Sequence, residues 1–133
     1  VVAALVIAVA AMATYWALWF ADRSVVASET ARSYVQFENA FPLADGWLTI
    51  CLLGALVALG RRSSLALFWL LAGGGAGLYL FCMDVLYDAE HGVWARGAGG
   101  AIEAAINALT VTLSGLLLRW AWRNRRVLDP LDM

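Results

Sequence analysis

Apolar residues fill four long stretches of the chain, at 1–21, 41–60, 65–83 and about 100–122, and the charged residues gather between them. Each stretch approaches the roughly 20 residues needed to cross a hydrocarbon core about 30 Å thick. The pattern therefore predicts four transmembrane helices, at about 1–21, 42–60, 64–86 and 100–122, with loops 22–41 and 87–99 on one side. The first stretch is longer than the roughly 7–15 apolar residues of a secretory signal, so it reads as a retained helix. The expected fold is all-α, a four-transmembrane-helix antiparallel bundle that makes residues 1–133 a single integral membrane domain.

Local signals refine the connections. The segment SETARSYVQFENAF at 28–41 mixes charges with Val35, Phe37 and Phe41, which suits a short helix lying on the bilayer with Ser28 as its N-cap. Pro42 suits the first turn of the second span, where its missing N–H costs nothing, with Asn39 or Ala40 at the boundary. The link at 61–64 is so short that spans two and three must be neighbours, with Ser63 or Ser64 capping the third. Gly73 and Gly77 form a GxxxG pair in span three, matched by Gly54 and Ala58 in span two. Small residues at that spacing let helix backbones approach closely, which predicts packing inside one bundle.

Composition agrees, because 63% of the residues are hydrophobic against roughly 45–50% in soluble domains. Charge then orients the spans. All nine basic residues are arginines, and Arg61, Arg62, Arg119, Arg123, Arg125 and Arg126 fall on the side of the short link and the C-terminal tail, against Asp129 and Asp132. The positive-inside rule makes that side, and with it both termini, cytoplasmic, as expected for a multi-pass protein of the plasma membrane. The outer side carries only Arg23, Arg32 and Arg96. Trp16, Trp19 and Trp47 fall near outer helix ends and Trp69, Trp120 and Trp122 near inner ends, where aromatic belts sit, while Trp94 lies in the second outer loop. Cys51 and Cys82 lie in spans two and three without a CxxC motif and at different depths, so buried free thiols are expected.

The outer side also gathers the acids, and depth separates them. Only the 15 residues 104–118 lie between Glu103 and Arg119, so an inner boundary at Arg119 places Glu103 about one turn below the outer surface. The same count from Gly60 places Asp45 at that depth, with Asp84 near the boundary. Asn107, Thr110 and Ser114 continue a polar seam inward from Glu103, and Thr49 stands one turn below Asp45. A polar seam in lipid must face the bundle interior. The expectation is a pocket walled by Asp45, Thr49, Asp84, Glu103, Asn107 and Thr110, with Tyr87 and Asp88 at its mouth. Asp22, Glu29, Glu38, Asp88 and Glu90 read as solvated surface charges, and His91 as an exposed loop residue.

Acids buried together need compensation, by a proton, by Arg96, Arg32 or Arg23, or by a cation such as Ca²⁺ or Mg²⁺. One histidine beside two acids is a poor transition-metal set, so no metal site is assigned, and no pattern names a cofactor. The chain has no phosphate-binding glycine loop, nucleophile elbow, HExxH motif or basic groove for nucleic acid.

These features suit a small membrane protein whose acidic pocket opens to the outer leaflet and binds a lipophilic or amphipathic small molecule or lipid. If it is an enzyme, one neutral and one ionised carboxyl drawn from Glu103, Asp45 and Asp84 supply acid and base. In architecture this resembles the four-helix sterol isomerases and sigma-2-like receptors, which bury acids among membrane helices; none of their motifs maps residue by residue, so the likeness implies no site here. A second expectation is an accessory subunit whose outer loops dock a membrane-protein partner. A third is a proton- or cation-coupled transporter acting as a homodimer, although the inner halves of spans one to three show no polar path.

Overall fold

Hydropathy places the helices, but backbone chemistry sets where they end. The computed structural model describes residues 1–27, 30 and 32–128. Within them run α1 (Val2–Asp22), α2 (Arg32–Glu38), α3 (Pro42–Gly60), α4 (Leu65–His91), α5 (Gly97–Arg123) and α6 (Arg125–Leu128), with 3-10 turns at Arg23–Val25 and Val93–Ala95. Among the described residues there is no strand. Four helical stretches are long and apolar enough to cross a membrane. The expected N-cap Ser28 and the acids Glu29, Asp129 and Asp132 lie outside the described residues.

Pro42 stands at the first position of α3, as its missing donor requires, and Phe41 takes the boundary instead of Asn39 or Ala40. At the start of α4, Ser64 is the N-cap, yet the serine that helps is Ser63, whose Oγ accepts from the Leu65 N–H at 3.3 Å. The largest departure is at the far end of α4. An end near residue 86 and a loop at 87–99 were expected, because Asp84 and Asp88 look like a boundary. The helix runs on to His91 and stops at Gly92, whose φ of 62° is a left-handed cap that glycine adopts without a Cβ penalty. With 27 residues, α4 is about 40 Å long, which exceeds the hydrocarbon thickness. Its last turns are therefore scaffold for other elements, and the loop to α5 shrinks to one 3-10 turn.

The apolar surface is distributed as in a lipid-facing fold. Ile7, Phe20, Leu43 and Leu109 are exposed, whereas much of the buried interior is small or polar, including Ala55, Ala58, Gly73, Gly77 and Ser114. A Cβ on Gly73 would sit 3.2 Å from Leu52 Cδ2, and one on Gly77 would overlap the Ser114 hydroxyl, so the glycine pair seats α3 on one side and α5 on the other. Gly54 carries the indole of Trp69, whose Cδ2 would lie 2.6 Å from an added Cβ. Gly54→Val is expected to cost about 2 kcal/mol through overpacking of that rigid ring, read by denaturant titration in detergent micelles.

Helices pack in the order α1 on α3, α3 on α4 and α4 on α5, with no comparable contact returning from α5 to α1. That seam is the main irregularity of the array. One apolar cluster centres on Leu5, Leu52, Ala55, Leu70 and Ala121, and a second on Trp19, Tyr34, Tyr87 and Val93. Trp19 is thus a core residue at 1% exposure and not the interfacial anchor expected from its position. The thiols divide as well: both are free, but only Cys51 is buried, and Cys82 faces outward on α4.

Candidate functional site

Tyr and Trp offer one hydrogen-bond donor at the end of an apolar body, which suits them to hold a carboxylate in a dry interior. Among the described residues three acids are held in that way. Trp16 Nε1 donates to Asp45 Oδ2 at 2.9 Å, Tyr15 Oη donates to Glu38 Oε2 at 2.9 Å, and Tyr34 Oη donates to Glu103 Oε1 at 3.0 Å. Each bond joins two elements, so α1 is tied to α2 and α3 while α2 is tied to α5. Trp19 adds a further tie, donating from Nε1 to Asn39 Oδ1 at 3.1 Å.

Together these bonds fold α2 across the end of the helices. Phe37 stacks on Tyr87 with ring centroids 3.9 Å apart and planes 8° apart, and Tyr87 in turn stacks on His91 at 4.1 Å. Phe41 meets Phe37 edge-on at 4.7 Å. Within the segment expected to lie on the bilayer, α2 is thus a lid packed through Phe37 on the last turns of α4. His91 ends that helix instead of lying in a loop, and its Nδ1–H donates to the Tyr87 carbonyl at 2.9 Å.

Beneath the lid lies a cavity of about 440 Å³ whose lining includes the carboxyl-bearing residues Glu38, Asp45, Asp84 and Glu103, all from the lid end of their helices. From there the lining turns apolar, through Leu80, Ile106, Leu109 and Leu113 down to Leu117, Leu5 and Ala4. Asp84 makes no side-chain hydrogen bond among the described residues, and Glu38, Glu103, Asp88 and Asp45 all lie within electrostatic reach of it. No Arg, Lys or His belongs to the lining. Among the described residues no three His, Cys, Asp or Glu side chains are grouped as a metal ion would need.

The expected site residues divide into two groups. Asp45, Asp84, Glu103 and Thr110 line the cavity together. Thr49 does not; its hydroxyl donates to the Asp45 carbonyl at 2.8 Å, with Met12 Sδ 3.7 Å away, and so supports the α3 turn that carries Asp45. Tyr87 and Asp88 are not at a mouth, because the extension of α4 buries them beside α2 and α5, and Asp88 is only 4% exposed. Asn107, also buried, donates from Nδ2 to Asp88 Oδ2 at 2.7 Å, while its Oδ1 is buried with no partner. That pair is a clasp between α4 and α5, outside the cavity wall.

Two acids were misread as surface charges. Asp88 is buried in this clasp, and Glu38 is drawn inward by Tyr15. Asp22 and Glu90 are exposed, as expected. Sequence reasoning also missed the donors Tyr15, Trp16 and Tyr34; the available signal was an excess of Tyr and Trp at the depth of the inner acids.

The arrangement can accept hydrogen bonds from, and neutralise, a donor or cation at one end of an apolar cavity. Compared with family models, curated proteins and solved structures, the chain finds no match.

Proposed function

We propose that the chain is a multi-pass membrane protein whose cavity binds a lipophilic or amphipathic small molecule, its polar end against Asp45, Asp84 and Glu103. In this reading the four long helices form an antiparallel bundle in the plasma membrane, with both termini and the arginine-rich ends cytoplasmic and α2 on the outer face. The observation that carries it is the cavity itself, with four carboxyl-bearing residues at one end and a remainder that is apolar but for Thr110 and Ser114. Its volume falls in the roughly 300–1,000 Å³ range of small-molecule sites, which share this pairing of apolar walls with a few convergent polar groups.

Glu103→Gln tests the reading. The amide oxygen still accepts from Tyr34 Oη, so the helices remain tied, but the charge is lost. Binding of an amine-headed amphiphile should weaken about tenfold, since a charge-assisted hydrogen bond is worth roughly 1.5–3 kcal/mol. Native mass spectrometry in mild detergent reads the bound fraction, and circular dichroism reads the fold. Unchanged binding by a folded variant would reduce Glu103 to an interhelical tie. If the bound molecule is transformed, acid and base come from the same carboxyls, and Asp84→Asn stops turnover while weakening binding no more than Glu103→Gln does.

One observation favours an added role as a partner in a larger assembly. On α5, Ala101, Ala105, Ala108, Thr112 and Gly115 are all exposed and recur at helical spacing along one face. Small residues in lipid mark a helix–helix contact. A second protein, or a second copy, that co-purifies with the chain and is lost in Gly115→Leu supports that role; isolation of a stable monomer counts against it.

A further inference from the structure

We infer that the cavity takes a single-tailed amphiphile with an ammonium head, which enters sideways from the bilayer between α1 and α5. The inference rests on the ligand-site reading above and narrows it.

Shape gives the tail. Along α5 the lining runs from Glu103 to Leu117 and along α1 from Trp16 to Ala4, which at 1.5 Å per residue is about 18–21 Å. A volume of about 440 Å³ drawn out over that length makes the cavity long and narrow. An extended polymethylene chain matches that shape. The length exceeds half of a hydrocarbon core about 30 Å thick, so the tail passes the midplane.

Charge gives the head. The cavity lining holds four carboxyl-bearing residues and no Arg, Lys or His, and Asp84 has no hydrogen-bond donor among the described residues. An ionised carboxylate only accepts, so a head that donates suits it, and a protonated amine both donates and offsets the charge.

Packing gives the entrance. The lid end is closed by α2 through Tyr34 with Glu103, Tyr15 with Glu38 and Phe37 on Tyr87. The junctions of α1 with α3, α3 with α4 and α4 with α5 are closely packed, and α1 with α5 is not. Ala4 and Ala11 of α1, and Ile106, Leu109 and Leu113 of α5, line the cavity and are nevertheless exposed. Residues that are at once lining and exposed mark the opening, and they flank this seam. The opening to the outer leaflet that the sequence suggested is in this reading a lateral one between α1 and α5, away from Tyr87 and Asp88.

The test titrates purified protein in nonionic micelles with hexadecylamine, octylamine, hexadecanoate and dihexadecylamine at equal mole fractions in the detergent phase, read by native mass spectrometry. Hexadecylamine should bind about tenfold more tightly than each of the other three. Ala11→Trp changes an exposed residue, so folding is retained, and its indole should block the seam and reduce the advantage over octylamine to about twofold or less. Equal binding of the two-chain amine or of the carboxylate, or a long-chain preference that survives Ala11→Trp, would overturn the inference. If some other lipophile binds and Glu103→Gln weakens it, only the narrower inference has failed; if no lipophile binds the wild type, the ligand-site reading fails with it.

Discussion

Asn107→Leu is expected to lower the unfolding free energy by about 2–3 kcal/mol, although leucine is nearly isosteric and suits a membrane helix. Asn107 Nδ2 is 2.7 Å from Asp88 Oδ2, and both residues are buried, at 5% and 4% exposure. Deleting the donor leaves a carboxyl in a dry interface with one partner fewer. Losing the Asn107 Oδ1, which has no partner of its own, gives part of that cost back. The asymmetry between breaking a pair and removing it supplies a control. Asn107→Leu combined with Asp88→Leu should recover most of the stability, and denaturant titrations of the wild type, both single variants and the double variant measure it. A single variant as stable as the wild type would mean that this clasp does not hold α4 to α5.

Gly100→Val should cost about 3 kcal/mol, at the upper end of overpacking penalties, because the atoms it meets cannot rotate away. A Cβ on Gly100 would overlap the Val93 carbonyl oxygen and lie 2.8 Å from that of Trp94. The backbone of the turn between α4 and α5 must move, and Glu103, one turn further along α5, moves with it. The variant should therefore lose ligand affinity as well as stability. Gly115→Ala supplies the contrast, since nothing lies within 4 Å of its added methyl and alanine is the better helix former by about 1 kcal/mol. Thermal unfolding of the two variants should move in opposite directions. A Gly100 variant as stable as the wild type would place α5 farther from this turn.

The spans were legible because hydropathy over about 20 residues is a strong and local signal. Counting to Arg119 and Gly60 put Glu103 and Asp45 at one depth with Asp84 near the boundary, and these three residues line one cavity. Helix ends were less legible. Asp84 and Asp88 look like the edge of a membrane, but nothing between them and Gly92 stops a helix, and the polar turn found partners in Asn107 and the aromatic residues of α2. Glu38 was misread for a related reason. On a short amphipathic segment its carboxyl looks solvated, and only the return of α2 over the helices brings it to Tyr15. That return depends on contacts across 23 and 69 residues of sequence, which no local pattern carries. The tryptophans teach the same lesson, because a belt position and a carboxylate-holding position coincide in sequence.

The central claim is that these carboxyls close one end of a membrane cavity that holds a guest. A density map of the protein in lipid nanodiscs tests it most directly. The account predicts a single elongated density between α1 and α5, with its polar end about 3 Å from the carboxyl groups of Asp84 and Glu103 and its tail reaching Leu117. A map in which α1 closes on α5 and leaves no space beneath α2, or in which the same space holds unordered bilayer lipid with no feature at the acids, would contradict it.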